Sequence, residues 1–577
     1  MPMKYFVLLL SMLIGFIAGL AAVAIKNSVF LIKDVLTSSF EHNYYNYLYF
    51  IYPITGILLV VTISRYILRQ NVGHGVPNVL YAISRRKSMM KKRSMISSII
   101  TSAITVGFGG SVGLEGPTVS TSAAIGSNLG KLMKLNYKTK TLLIGCASAA
   151  ALAAIFKAPI AAIVFAIEVI MLDLTFRSLV PLLIASATGA ITSRLLLGND
   201  VLFHLSFKEG FSISDLPFFL LLSVITGFFS IYFERAYFYI SHRIEGIDRP
   251  YLKATIGGIL LGSLIFFFPA LYGEGYQSVN GLISGSYEKI LENSFFYSFH
   301  DQFSVVMLIM IIIAFAKVIA MSLTFSSGGI GGIFAPTLFL GSVLGFIFAS
   351  MTNYYVFDGV AELSTTTFAL VGMAGLMAGV LHAPLTAIFL IAEITGDYEL
   401  FLPLMLVAAI SYTTVKVFLP HSIYTLQLAK KGELITHHKD QAVLALLDLV
   451  SQIEKDFLPV FPNMTLGEVV QVVARSKRNL FPVLDKQNHF LGVVFLDEIR
   501  SIMFNKNLYD TTHVEDIMTV APTHIDISEN METVMKKFEN TRAWNLPVID
   551  NGIYVGFVSK SNIFNAYREQ LRDFYEE

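Results

Sequence analysis

Three short glycine-rich segments, each ending in proline, carry the chemistry this sequence can offer. They are Gly73-His74-Gly75-Val76-Pro77, Gly113-Leu114-Glu115-Gly116-Pro117 and Gly331-Gly332-Ile333-Phe334-Ala335-Pro336. Proline suits the first turn of a helix, where its missing N–H costs nothing, and glycine lets backbones approach closely. Each segment therefore reads as a helix start. Free N–H groups there, with the positive end of the helix dipole, form a seat for an anion. Three such starts meeting inside a membrane would hold an anion without a full positive charge, and would let it leave again, as conduction requires. Glu115 lies within one of these starts, in an apolar stretch. An ionisable group in that setting is a functional hypothesis by default. Its carboxylate can compete with a permeant anion for the same amides and withdraw on protonation, which makes a gate. The plain alternative is a glutamate that caps the helix start.

These segments need a membrane domain to position them, and the composition provides one. Of 577 residues 54% are hydrophobic and only 14% charged, against about 25% charged in soluble domains. The mean hydropathy is +0.63. The net charge of +1 gives no reason to expect a nucleic-acid partner. The charge is unevenly placed. Residues 431–577 carry 15 basic and 21 acidic side chains, and residues 1–430 carry 27 and 20. The reading is a membrane domain over 1–430 and a soluble domain over 431–577. The apolar run that follows Lys4 is longer than a signal peptide's core and reads as a first membrane helix. The single cysteine, Cys146, excludes an intrachain disulfide and reads as a buried small hydrophobe.

Apolar stretches recur at 5–25, 49–68, 95–108, 142–172, 178–197, 215–238, 254–270, 303–324, 332–352, 366–394 and 401–418. Several are too short or too long for one upright span of about 30 Å of hydrocarbon. Broken or re-entrant helices are expected, and these survive in a bilayer only where protein buries them or they line a polar cavity. The basic cluster Arg85, Arg86, Lys87, Lys91, Lys92, Arg93 places its loop in the cytoplasm.

The membrane domain repeats itself. Residues 156–170 (FKAPIAAIVFAIEVI) match 381–395 (LHAPLTAIFLIAEIT) at an offset of 225, and 113–119 (GLEGPTV) match 332–338 (GIFAPTL) at an offset of 219. Two related halves follow, about 1–210 and 211–430, and duplicated halves with interrupted helices characterise transporter folds. Glu168 and Glu393 fall at equivalent positions and read as structural, bonding backbone ends in the opposite half. His382 reads as packing, and Lys157 and Asp173 as snorkelling or capping groups. The tail has its own repeat: 479–499 resembles 545–563, each a strand, a turn (Lys486–His489, Asp550–Gly552), a second strand and a helix. Amphipathic helices at about 465–476 and 528–540 precede them.

The ordered set GHGVP, GLEGPTV, GGIFAPTL and PHSIYT (420–425) resembles the CLC family of chloride channels and proton-coupled chloride transporters, over about residues 4–570. The resemblance implies an α-helical polytopic membrane protein with inverted halves, forming a homodimer with one anion pore per subunit. It implies that Glu115 is the gating glutamate, and that His74, Gly75, Leu114, Gly116, Ile333, Phe334 and Tyr424 line the anion site, Tyr424 through its hydroxyl. The tail resembles a pair of CBS domains, about 450–505 and 512–573. Two departures stand out. His74 replaces the family's common serine. It can donate an N–H, become cationic near its ordinary pKa of about 6.5, or block space, so nitrate, bicarbonate or another anion competes with chloride as the preferred ion. Val169 replaces the second of two successive glutamates that proton-coupled members carry, the one linked to intracellular proton delivery, and valine cannot shuttle a proton.

The leading expectation is a passive anion channel gated by Glu115; the alternative is a proton–anion antiporter using a route other than residue 169. No HExxH, GxSxG or Cys/His metal spacing supports an enzyme. No cofactor is expected. Nucleotide-binding CBS domains carry a Ser/Thr and, three residues on, an Asp; here Phe495–Glu498 and Ser559–Asn562 match incompletely, so a dimerising module is favoured over an adenine-nucleotide sensor. The expected setting is the plasma (inner) membrane, in contact with lipid, with the tail cytoplasmic.

Overall fold

The computed structural model describes residues 3–37, 47–69, 73, 75–170, 176–198, 203, 212–360, 362–396, 398–430 and 447–575. His74 and Asp173 lie outside them. The chain divides into two compact units, Met1–Leu434 and Ile435–Glu577.

Among the described residues the first unit is built of helices, with a single antiparallel bridge between Gly113 and Gly332. Its helices are α1 (Met3–Thr37), α2 (Leu48–Thr62), α3 (Gly75–Arg85), α4 (Ser94–Gly107), α5 (Glu115–Leu132), α6 (Tyr137–Phe156), α7 (Pro159–Glu168), α8 (Phe176–Leu197), α9 (Leu216–Glu245), α10 (Pro250–Phe267), α11 (Tyr276–Ile283), α12 (Phe303–Ser326), α13 (Phe334–Tyr355), α14 (Thr365–Leu381), α15 (Pro384–Thr395), α16 (Phe401–Phe418) and α17 (Leu426–Lys430). Among the described residues nine helical segments are long and apolar enough to cross a membrane, and α4, α7, α14 and α15 are shorter apolar helices. The protein is a multi-pass membrane protein. The long stretches 142–172 and 366–394 each break into two helices. The break falls at Lys157 (φ 57°) and His382 (φ 55°), both left-handed, and each is followed by an alanine and then a proline at the first helical position. Lys157 also donates to the Gly198 carbonyl at 2.7 Å. His382 packs edge-on against Tyr412 at 5.6 Å.

Three sets of reciprocal bonds join the halves, each linking residues at the repeat offsets. Gly113 N–H donates to Gly332 O at 2.8 Å, and Gly332 N–H to Gly113 O at 2.7 Å. Ser111 N–H donates to Thr324 Oγ1 at 3.2 Å, and Ile330 N–H to Thr105 Oγ1 at 3.0 Å. The Glu168 carboxylate accepts from the amides of Leu385 and Thr386 and from the Thr386 hydroxyl; the Glu393 carboxylate accepts from the amides of Ile160 and Ala161. A carboxylate at the end of α7 thus caps α15, and the one in α15 caps α7, as a two-fold relation between halves requires. Glu168→Ala and Glu393→Ala should each lower stability by about 1–2 kcal/mol, the range for a lost helix cap. The Glu168 variant should lose more, because three donors are orphaned rather than two. Thermal melting of the two purified variants checks the order.

The second unit is α/β. Its first repeat pairs β1 (Leu480–Leu484) antiparallel with β2 (Phe490–Phe495), with Val460 bridged in parallel to Val483. Its second pairs β3 (Ile525–Asp526) parallel to β4 (Asn545–Asp550), and β4 antiparallel to β5 (Ile553–Ser559). The amphipathic helices are α18 (Leu466–Arg475) and α19 (Met531–Thr541), and α20 (Lys560–Tyr575) ends the unit. Thr465 and Glu468 cap α18 reciprocally, the favoured arrangement for Thr and Glu three apart. The β4–β5 turn uses left-handed Asn551 and Gly552, as a two-residue hairpin demands.

Arg478 clamps the segment leading into β1. Its guanidinium donates to both Asp456 oxygens at 3.0 and 2.6 Å, reaches Glu454 at 2.7 Å and covers the Phe457 ring at 4.8 Å. The hydrogen bond from Arg478 holds the Asp456 carboxyl below its usual range. A depressed folded-state pKa gives stability that is present above the unfolded value, about 3.9, and is lost as pH falls through the folded value. Arg478→Gln should therefore melt at lower temperature near pH 7, and the difference should fade as the pH falls below about 4. The single tryptophan, Trp544, lies in this unit and can report the transition.

Candidate functional site

The three helix starts meet through their glycines. A Cβ at Gly75 would lie 2.7 Å from Gly116 Cα, and one at Gly116 would lie 3.0 Å from Gly331 O and 3.1 Å from Gly332 Cα. Side chains in these places would hold the starts of α3, α5 and α13 apart. Gly75 takes a left-handed φ of 33°, a region open to glycine. The Gly113–Gly332 bridge pins α5 and α13 beside each other, so both helix N-termini open on one place.

A cavity of about 30 Å³ lies there, lined by Gly75, Val76, Pro77, Gly116, Tyr237, Phe325, Gly331, Gly332, Ile333, Ile423 and Tyr424. A single water needs about 10–15 Å³ by such a measure, so the space suits one small ion. Tyr424 is buried and its hydroxyl has no partner among the described residues. Among the described lining residues the Tyr424 hydroxyl is therefore a free donor besides the amides. The Phe334 ring packs on Phe165 (centroids 5.4 Å apart) and Phe156 (6.2 Å), and neither Phe334 nor Leu114 is among the residues that line the cavity. Leu114 is buried, and its carbonyl accepts from both the amide and the hydroxyl of Thr118. Val169 is buried at the end of α7, where its amide donates to Phe165 O.

Glu115 has no solvent exposure. Its Oε1 accepts a hydrogen bond from the Tyr276 hydroxyl at 2.6 Å. Among the described residues no side chain bonds its Oε2, which faces the backbone of Glu115 and Ala335. A Cβ on Gly113 would overlap this Oε2, and a Cβ on Gly332 would lie 3.0 Å from it. The carboxylate is thus folded back over the Gly113–Gly332 bridge, at the seam of the two helix starts, and next to the cavity wall formed by Gly332. This is where a negative side chain competes with an anion for the same backbone dipoles.

Sequence reasoning missed three residues around this carboxylate. Tyr276 begins α11 after Gly273-Glu274-Gly275, a fourth glycine-rich helix start without the terminal proline that marked the others. Glu274 shares an electrostatic neighbourhood with Glu115, Lys26, Lys33 and Lys317. Lys317 is fully buried in α12; it donates to Gly273 O at 3.0 Å and sits over the Phe339 ring at 5.0 Å. A lone lysine inside a 24-residue apolar helix was a visible signal.

The sequence signature of the voltage gated chloride channel family matches residues 55–416, and that of the CBS domain matches 450–505 and 514–569. The chain belongs to the CLC family. Among its relatives, the H(+)/Cl(−) exchange transporter ClcA of Vibrio cholerae is 26% identical over 69% of this chain and 84% of its own length. The chloride channel protein CLC-f of Arabidopsis thaliana is 24% identical over 87% of this chain and 70% of its own length. The fold is shared with a slow cyanobacterial Cl−/H+ antiporter, with a TM-score of 0.61 at 21% identity, covering 75% of this chain and 99% of that one. The chain is therefore a CLC-type anion transport protein with a CBS-domain pair.

In the CBS pair, Ser559 donates to Glu454 at 2.7 Å and accepts from the Asn562 amide, while the Asn562 side chain donates to Gln452 O at 3.3 Å. These groups hold the segment entering the unit.

Proposed function

We propose that this CLC protein exchanges protons for chloride or a similar small anion, through one pathway in each subunit of a homodimer, with Glu115 as the gate. The observation that carries the reading is the seat of the Glu115 carboxylate at the seam of α5 and α13. A charged carboxylate there and an anion at the amides of Gly116, Ile333 and Phe334 repel each other across a water-poor space, where charges interact strongly. Taking up a proton neutralises the side chain and frees it to swing away. Anion entry and protonation of Glu115 then favour each other, and where the proton and the anion reach the site from opposite sides of the membrane that linkage drives exchange. Tyr424 supplies a hydroxyl to the anion, and the residue at 74 tunes which anion is preferred.

A passive channel is the second reading, and Val169 favours it. Purified protein in vesicles with a fixed chloride gradient separates the two. Exchange moves the reversal potential when a pH gradient is imposed; a channel holds it at the chloride Nernst value. The CBS pair fits a dimerising module on the cytoplasmic face of an inner membrane, since Ser559 and Asn562 are already engaged within the fold.

A further inference from the structure

Glu234 lies midway along α9 and is 1% exposed, and neither carboxylate oxygen has a hydrogen-bond partner among the described residues. By contrast Glu168 and Glu393 are fully employed as caps. From the geometry around it we infer that Glu234 is the inner proton-binding group of the pathway, which loads the protons destined for Glu115 in place of the acid missing at Val169. This rests on the exchange reading above.

Four polar side chains on α9 follow helical spacing, Ser230, Glu234, Tyr237 and Ser241, and all are buried. They form one inward stripe. Tyr237 lines the anion cavity, one turn from Glu234. The Glu234 carboxylate lies against the backbone of Ile423, a second cavity residue, whose neighbour Tyr424 has the unpartnered hydroxyl. On the other side, Ser230 and Ser411 both crowd the Cβ position of Gly379, and the Ser411 hydroxyl is also unpartnered. Unpartnered buried oxygens, here those of Ser411 and Tyr424, are where ordered water is held. Among the described residues no cation pairs with Glu234. Of the cations on α9 and the helices packed against it, Arg235 of α9 is exposed, Lys253 sits in the first turn of α10, Lys416 of α16 donates to Pro420 O and stacks on Tyr412, and Lys317 of α12 donates to Gly273 O. His382 packs on Tyr412, and His421 and Tyr424 are the other titratable groups of the adjoining turn. A buried carboxylate with no cation beside it, and only the Ile423 amide near enough to offset its charge, is retained at a cost to folding, which a proton that comes and goes explains.

In the step itself, a proton from the inner solution binds the Glu234 carboxylate, giving the acid. The proton then passes along water beside Tyr237 and Tyr424 to the Glu115 carboxylate, and Glu234 is left ionised again. One proton enters and one is delivered, and no other bond changes.

The test is chloride-driven proton transport and chloride flux, measured together on full-length protein in vesicles, for wild type, Glu234→Gln and Glu234→Asp. The expected result is that Glu234→Gln loses at least nine-tenths of its proton transport while chloride flux stays within about twofold, and that Glu234→Asp retains proton transport. If Glu234→Gln is not recovered folded, Glu234→Met, neutral and of similar volume, takes its place. Proton transport at the wild-type ratio to chloride in either neutral variant overturns the assignment of Glu234 alone. Absence of proton transport in wild type overturns the exchange reading itself, and this assignment with it.

Discussion

Glu115→Gln is expected to abolish coupled proton transport and leave an anion flux that no longer depends on pH. Glutamine keeps the length and shape of glutamate, so it can occupy the same seat and still accept the Tyr276 hydroxyl bond. It has no carboxyl proton to give or take, and it carries no charge to oppose an anion at the adjoining helix starts. The permanently neutral gate therefore mimics the protonated one. In the wild type, a single carboxyl controlling access allows anion flux to change by up to about tenfold per pH unit, the limit set by one proton. In the variant that slope should be flat. Parallel chloride-flux and proton-flux assays between pH 4 and 8 decide it. A retained pH slope would remove Glu115 from the gating role.

A second large effect is expected at the glycines beneath that carboxylate, and the two members of the pair should differ in kind. In Gly113→Ala, the new methyl meets Glu115 Oε2, the mobile end of a side chain. The carboxylate can give way, so the protein should fold with the gate pushed out of its seat. Overpacking of this sort costs about 1–3 kcal/mol, which corresponds to a shift of about 5- to 150-fold toward the open state. Flux at neutral pH should rise accordingly. In Gly332→Ala, the methyl would lie 2.7 Å from the Gly116 amide nitrogen and 3.4 Å from that of Glu115. Backbone at a helix start cannot move without separating α5 from α13, so the yield of folded protein should collapse. The double variant Gly113→Ala/Glu115→Ala supplies the control. If the methyl acts through the carboxylate, adding it to Glu115→Ala should change flux little, the signature of coupled neighbours.

Much of this was legible in order along the chain. The three glycine–proline segments, the offsets of 219 and 225, and the charge step near residue 430 announced helix starts, two halves and a separate tail. Backbone rules written into residue types carried that information: proline at a first turn, glycine at a close approach, and apolar length against bilayer thickness. The pairing of Glu168 and Glu393 with backbone ends of the opposite half was also readable, because equivalent acids at equivalent helix ends imply reciprocal capping. The break within each long apolar stretch was foreseen only in general. Its exact place depends on Lys157 and His382 taking a left-handed conformation, which neither residue type requires.

Who stands beside whom was not legible. Tyr276 lies 161 positions from Glu115 and bonds to it. Lys317 reaches the carbonyl before Glu274. Glu234 belongs to a helix whose sequence looks like any polar-faced span, and only the packing of α9 against its neighbours buries its carboxylate with no cation beside it among the described residues. Side-chain type and local spacing fix backbone conformation, because those preferences act over a few residues. The partners of a buried charge are fixed by the folding of distant segments into one low-dielectric interior. The sequence by itself therefore determined that this protein is a two-halved membrane transporter of anions with a glutamate at a helix start. Only the tertiary structure decided what holds that glutamate, and which other acid was left unneutralised near the pathway.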